Sequence, residues 1–201
     1  MPSRPKAIVV DANILSTLAR VEEVKLLFAL FPKAEIVVTP AVQSETMAGA
    51  YQGFSFLEEV ASLIESGHLK LETLTTSELT AKHRCPATLG EGEAESIALC
   101  QSRGWTLLTN DKRARNFAES VRLTVYDPRG LLRALWRYGI RSKKQVRRLA
   151  DRMEAAENMV ITNKEAIFKS NYSAAFRRLS RRANRPVLVG LGASQVPTPA
   201  V

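Results

Sequence analysis

The sequence predicts an α/β fold in which a central parallel sheet of about five strands carries helices on both faces. Short apolar runs rich in strand-forming residues alternate with longer segments whose apolar residues recur at helical spacing. Because a helical segment separates each run from the next, we expect the strands to be parallel and joined by crossovers. The predicted strands cover residues 6–10, 35–38, 68–74, 105–108 and 123–126.

The helices of the first half are predicted from apolar spacing and from residues that favour helix ends. Pro32 ends the second helix, and Gly67 ends the fourth. Thr39 is a suitable N-cap, and Pro40 fits the first helical position, where the N–H that proline lacks has no helical partner. The predicted helices cover residues 14–21, 24–31, 40–50 and 56–67, with a short helix or turn at 75–83.

The clearest local signals lie between residues 89 and 115. A helix opens at Gly92 and ends at Gly104, since glycine is the commonest residue just beyond a helix. A short buried strand follows, and Asp111 ends that strand and caps the next helix. Helices are then predicted at 112–119 and 128–138, which completes the alternating pattern.

The formal net charge of +9 is concentrated near the carboxyl end. Residues 133–185 carry a large excess of Lys and Arg, whereas the rest of the chain is close to neutral. From residue 141 onward the pattern is helical only, with helices expected at 143–157, 164–168 and 172–182. We therefore expect an α/β domain at 1–139, a basic helical extension at 140–185 and a mobile tail at 186–201.

Several classes of protein are disfavoured by what the sequence lacks. No apolar run is long enough to span a bilayer, and none resembles a signal peptide. Cys85 and Cys100 have neither zinc-ligand nor disulfide spacing, and Cys100 is expected in the core. There is no glycine-rich phosphate loop, so an NTPase is disfavoured. We expect a cytoplasmic protein with no membrane contact.

Four acids are predicted at the carboxyl edge of the sheet, where open α/β sheets bind ligands. Two of them follow strands, and two begin helices. Each is separately explained as an N-cap or as an anion that the helix dipole favours. Together they would repel one another unless a cation lay among them, and carboxylate oxygens favour Mg²⁺ or Mn²⁺. These acids are Asp11, Glu45, Glu93 and Asp111.

Helical geometry separates the acids of the helix that opens at Gly92. Glu93 is expected at the margin of the buried stripe, whereas Glu91 and Glu95 are expected to face water. Polar residues at the strand ends could orient a water molecule or help to hold the acids. They are Asn13, Thr109 and Asn110.

These residues resemble the PIN domain and, within it, the VapC-like ribonucleases. The similar segments are VVDANIL at 9–15, TPAVQSE at 39–45, LGEGEAESIAL at 89–99 and LLTNDKRAR at 107–115. The resemblance implies a three-layer α/β/α fold and a Mg²⁺- or Mn²⁺-dependent endoribonuclease that cleaves by activated water. It also implies metal-binding roles for the four acids, with an antitoxin and a second copy of the chain as partners. Gly90 and Asn110 stand where some relatives carry a further acid, and the basic extension is longer than in compact VapC-like toxins.

Basic side chains are predicted to contact an RNA or DNA backbone, because a pool of carboxylates repels its own substrate. Two other interpretations of the basic extension remain open: a solvated helix face, or a surface for an acidic partner such as an antitoxin. The predicted contacts are Lys112, Arg113, Arg115, Lys143, Lys144, Arg147 and Arg148.

Two further function classes compete with the ribonuclease. A non-catalytic RNA-binding or assembly module would keep the fold, but it has no use for four anions that repel RNA. A small-ligand regulatory domain would need a glycine-rich turn after the first strand, which residues 11–13 do not supply. The ribonuclease is therefore the leading hypothesis.

Overall fold

A computed structural model describes residues 7–157 and 160–169 of the 201-residue chain. Five parallel strands form one sheet in the order β3-β2-β1-β4-β5, which confirms the predicted fold class. The strands are β1 (Ala7–Val10), β2 (Glu35–Val38), β3 (Lys70–Leu71), β4 (Thr106–Leu108) and β5 (Val125–Tyr126). The two edge strands are shorter than predicted, since each has a neighbour on one side only and pairs through two residues.

Ten α-helices and one 3₁₀ helix lie in the described residues. The predicted helix at 172–182 and the predicted tail at 186–201 lie outside the part of the chain that the structure describes. The helices are α1 (Ala12–Arg20), α2 (Leu26–Leu30), α3 (Pro40–Tyr51), a 3₁₀ helix (Ser55–Leu57), α4 (Glu58–Glu65), α5 (Thr76–Lys82), α6 (Glu91–Arg103), α7 (Lys112–Ser120), α8 (Pro128–Arg137), α9 (Lys143–Glu157) and α10 (Lys164–Ile167).

The helices cover both faces of the sheet and make three layers. Along β1, Ile8 and Val10 point into one core, while Ala7 and Val9 point into the other, as the alternation of a strand requires. The first core is formed with α1, α2, α4, α8 and α9, and the second with α6 and α7. Cys100 is fully buried in the second core, as predicted.

The strand order creates one crevice at the carboxyl edge of the sheet. The chain runs from β1 outward through β2 and β3, then returns to place β4 on the other side of β1. The connection after β1 therefore leads toward β2, and the connection after β4 leads toward β5 on the other side of the sheet. The place where the two connections part is called a switch point, and open α/β sheets bind ligands there. Asp11 follows β1 and Thr109 follows β4, so both residues lie at this switch point.

Helices α9 and α10 contribute to the first core. Val146, Leu149 and Met153 of α9 are buried there together with Ile167 of α10. The basic segment thus has an apolar face packed against α1 and α8. The division of the chain at residue 139 stays a prediction.

A buried ion-pair cluster joins α5 and α6 to the segment after β3. The Arg103 guanidinium donates from Nε to Glu78 Oε1 at 2.7 Å, and from Nη1 to Glu72 Oε2 at 2.6 Å. Its Nη2 donates to the Thr73 carbonyl at 3.0 Å. This contact with Arg103 holds the pKa of the buried Glu78 carboxyl down to about 2. The cluster thus holds α5 against α6. Glu93 lies on α6.

No helix in the described part of the chain is both long and apolar enough to cross a membrane.

Candidate functional site

Asp11 lies at the end of β1, at the bottom of the crevice. Its carboxylate caps α1 by accepting the Ile14 N–H at 2.8 Å through Oδ1. The Thr109 hydroxyl at the end of β4 donates to Oδ2, and the Asn110 backbone N–H is a third donor. The cap is local, whereas the contacts with Thr109 and Asn110 exist because β4 lies beside β1.

Asp11 is an acid in an environment that penalises its charge. Only 2% of the residue is exposed, and this burial raises the pKa of its carboxyl to about 7. The hydrogen bonds from Thr109, Ile14 and Asn110 oppose the shift, and the nearby Glu93 carboxylate adds to it. A cation beside Asp11 would relieve the cost of its charge.

Glu45 reaches the same crevice from the first turns of α3. The backbone N–H of Gly92 donates to its carboxylate, while partial burial and the charges on α6 raise its pKa. A Cβ on Gly92 would lie 3.1 Å from Glu45 Oε1 and 3.1 Å from Val42 Cγ2. Glycine at position 92 therefore allows α6 to approach α3 closely enough to bind Glu45.

Glu93 lies in the first turn of α6, and its side chain folds back toward the start of the helix. Its Oε2 accepts the Gly90 N–H at 2.8 Å, so the side chain caps its own helix. It is half-buried, as its predicted place at the edge of the apolar stripe requires. Glu93 is close enough to both Asp11 and Glu45 to raise the pKa of each.

Three of the four predicted acids line one cavity of about 90 Å³. Asn13, one of the polar residues predicted beside them, also lines it. The described residues around the cavity are Asp11, Ala12, Asn13, Val42, Glu45, Gly90, Gly92 and Glu93. This cavity, which we call the acidic cavity, collects carboxylates from β1, α3 and α6.

Asp111 lies beside the acidic cavity and is not among the residues that line it. Its Oδ1 caps α7 by accepting the Ala114 N–H at 2.7 Å. Its Oδ2 lies 3.8 Å from the largely exposed Arg113 guanidinium, too far for a hydrogen bond. The Asp111 N–H donates to the Thr109 hydroxyl, which in turn donates to Asp11, so Asp111 is linked to the cavity through Thr109.

Glu95 does not face water, contrary to the expectation from helical spacing. It is buried where α6 meets α3 and α5, and its Oε2 accepts the Ala41 N–H at 3.0 Å. Its Oε1 accepts from Lys82 Nζ at 3.1 Å. Glu95 therefore binds the amino terminus of α3 and holds the helix of Glu45 against the helix of Glu93. Glu91, by contrast, is exposed as predicted.

The basic residues predicted to contact RNA differ in their surroundings. Lys112, Lys144 and Arg148 are exposed. Lys143 lies over the Trp136 ring at 4.8 Å, and Arg147 lies over the Phe168 ring and pairs with Glu165 at 3.1 Å. Part of the positive charge on α9 thus has partners within the protein itself. The nucleic-acid role of all these residues stays a prediction.

Sequence reasoning missed one acid at this edge of the sheet. Asp127 follows β5 and caps α8, where its Oδ1 accepts the Gly130 N–H at 2.8 Å. It also pairs with Arg115 and Arg129. The same signal that identified Asp11 and Asp111, an acid directly after a buried strand, applies to Asp127. Glu95 had no comparable signal, because its partners come from two other helices.

The donor chemistry of the acidic cavity suits a hard divalent cation. Within residues 7–157 and 160–169, no three His, Cys, Asp or Glu side chains are grouped so that they could hold one metal ion together. Mg²⁺ commonly binds only one or two carboxylates and keeps water and substrate phosphates as its other ligands. The carboxylates of the open cavity can supply such a pair of ligands, and the described lining contains no His or Cys, which disfavours zinc.

The fold and the site define an α/β protein with an acidic cavity at the switch point of a five-stranded parallel sheet. A family model described as a PIN domain matches residues 7–167. The chain therefore belongs to the PIN-domain family, whose members are generally nucleases that use divalent metal ions. The chain matches none of the curated proteins. The match runs through α9 and α10, and the VapC-like branch stays a prediction.

Proposed function

We propose that the protein is a Mg²⁺- or Mn²⁺-dependent endoribonuclease of the VapC-like branch that hydrolyses RNA phosphodiester bonds. The observation that carries the proposal is the meeting of Asp11, Glu45 and Glu93 around one cavity. These side chains come from three elements that are distant in sequence. Bringing carboxylates together away from water costs free energy, and proteins do so chiefly where they bind a cation.

Asp11, the most buried of the three acids, would hold the metal ion together with Glu45 or Glu93, and water and substrate phosphate would supply the other ligands. A bound divalent ion supplies an activated water and polarises a phosphoryl oxygen. Thr109 fixes the Asp11 carboxylate, and Gly92 fixes that of Glu45, so neither acid needs to reorganise when substrate arrives. Asn13 lines the same cavity and offers an amide that can orient a water molecule.

RNA is the proposed substrate because of the resemblance to VapC-like ribonucleases, and exposed cations beside this edge of the sheet suit a nucleic-acid backbone. Lys112 and Arg113 begin α7 directly after Asp111, and both are exposed. Such cations offset the repulsion between an acidic site and a polyanion. By resemblance, the protein acts in the cytoplasm as a homodimer and as the toxin partner of an antitoxin.

Cleavage of a labelled single-stranded RNA by purified protein tests the proposal. We expect endonucleolytic products with Mg²⁺ or Mn²⁺ and none in EDTA, with activity restored when the ion is added back. A single-stranded DNA of the same sequence serves as the control for substrate class, and we expect it to be cut far more slowly.

Activity that persists in EDTA would contradict the metal-dependent mechanism. Tight RNA binding without cleavage under any divalent ion would instead support the rival function, a non-catalytic RNA-binding or assembly module. Cleavage of DNA at the same rate as RNA would refute the assignment of substrate.

A further inference from the structure

A second cavity opens at the carboxyl ends of β4 and β5, on the same edge of the sheet as the acidic cavity. Its volume is about 170 Å³, and two arginines are among the residues that line it. None of the described residues that line it is aromatic. They are Asn110, Arg115, Asp127, Pro128, Arg129, Val160, Ile161 and Thr162. We call it the arginine cavity.

One carboxylate oxygen holds both arginines in place. Asp127 Oδ2 accepts from Arg115 Nη1 at 2.9 Å and from Arg129 Nε and Nη2 at 3.3 Å each. The other oxygen, Oδ1, is used to cap α8. Two guanidinium groups thus share one negative charge, which leaves the cluster with a net positive charge.

The two guanidinium groups retain donors that the cluster does not use. Each carries five N–H groups, and the hydrogen bonds to Asp127 use one nitrogen of Arg115 and two nitrogens of Arg129. Both side chains remain partly exposed, 26% for Arg115 and 38% for Arg129.

The arginine cavity adjoins the acidic cavity through β4. Asn110 lines the arginine cavity, and its backbone N–H donates to Asp11 in the acidic cavity. Strand β4 pairs with β1 on one side and with β5 on the other. The two cavities therefore lie beside neighbouring strands at the same edge of the sheet.

We propose that Arg115 and Arg129 form a subsite for a backbone phosphodiester of the RNA strand, next to the bond that is cut. Asp127 is a positioning residue that holds the two guanidinium groups side by side against their mutual repulsion. A guanidinium fork suits a phosphate because two parallel N–H groups can bind two oxygens. The described part of this cavity offers no aromatic ring on which a base could stack. The inference rests on the proposed function, since it names how that substrate is held.

Binding of a fluorescent oligouridine to Arg129→Gln, measured over a series of salt concentrations, tests the inference. We expect affinity to fall about tenfold, because a hydrogen-bonded charge contact is lost. The slope of log K against log salt should also become shallower by about 0.7, the value for one phosphate contact on a single strand. The measurements use EDTA, and are repeated in an Asp11→Asn background with Mg²⁺, so that cleavage does not interfere.

Arg137→Gln is the matched control, because it removes the same charge from the exposed carboxyl end of α8, away from the cavity. We expect its salt slope to equal that of wild type. Arg129→Lys keeps the charge but loses the planar fork, and it should bind with intermediate affinity and an unchanged slope. Equal thermal unfolding of the three variants shows that the fold is retained.

Equal binding by Arg129→Gln and Arg137→Gln would overturn the subsite, even where wild-type protein cuts RNA normally. No binding of RNA by wild type in either condition would overturn it as well. Competition by uridine monophosphate as strong as that by the strand would identify a free-phosphate site and refute the phosphodiester assignment. Loss of binding in Arg129→Gln, in a protein that never cuts RNA, would support the subsite and refute the proposed function alone.

Discussion

Asp11→Asn is expected to lower metal-dependent RNA cleavage about 10³-fold while leaving the protein folded. Asparagine keeps the carbonyl oxygen that caps α1, so the Ile14 N–H retains its acceptor. What is lost is the charge of the most deeply buried of the three acids around the cavity. A gel-based cleavage assay at saturating Mn²⁺ measures the effect.

The stability of the same variant distinguishes loss of chemistry from loss of fold. Burial raises the pKa of Asp11 to about 7, so its charged form destabilises the metal-free protein as pH rises through that value. Asp11→Asn should therefore melt at the same temperature as wild type or higher in EDTA at about pH 8. Asp151→Asn, the same change at an exposed acid of α9, is the control for activity. Cleavage by Asp11→Asn at the rate of this control would refute the role of Asp11.

Arg103→Met is expected to destabilise the protein by about 3 kcal/mol or more, because it leaves the buried Glu78 carboxylate without its cation. The guanidinium joins Glu78, Glu72 and the Thr73 carbonyl, and methionine can replace only its aliphatic part. Urea unfolding followed by circular dichroism measures the free energy of unfolding. Arg84→Met, at an exposed arginine, should change that free energy by less than about 0.5 kcal/mol.

The pH dependence of the free energy of unfolding tests whether the Glu78–Arg103 ion pair causes the destabilisation expected for Arg103→Met. Because Arg103 lowers the pKa of Glu78 to about 2, the pair contributes stability above the unfolded pKa of 4.5 and loses it as pH falls toward 2. Glu78→Gln should remove that contribution, and its unfolding free energy should depend less on pH across this window. An equally steep acid transition in Glu78→Gln would mean that other carboxyl groups cause it.

The sheet could be predicted because its central strands carry local signals. The runs IVV in β1 and IVV in β2 are buried on both faces, and their sequence shows it without any tertiary information. The lengths of the edge strands were overestimated, because local signals do not show how many residues pair with a neighbouring strand. Residues 68–74 alternate in polarity well enough for a strand, but only Lys70 and Leu71 find partners on β2.

The residues of the candidate site that could be predicted are those whose place in the sequence, directly after a strand, determines where they lie in the fold. An acid directly after a strand must lie at the carboxyl edge, which located Asp11 and Asp111. The rule does not determine where a side chain turns, and Asp111 turns toward the Ala114 N–H instead of lining the acidic cavity. The burial of Glu95 was not predicted, because it depends on contacts with Lys82 and Ala41. Helical spacing within α6 gives no information about residues of other helices.

Diffraction from crystals soaked in Mn²⁺, recorded at the manganese absorption edge, tests most directly whether these carboxylates hold a cation. We expect an anomalous peak in the acidic cavity, about 2 Å from an oxygen of Asp11 and of at least one of Glu45 and Glu93. The peak should be missing from crystals of Asp11→Asn treated in the same way. An acidic cavity without a peak at saturating Mn²⁺, or a peak only beside Asp111 or Asp127, would contradict the account.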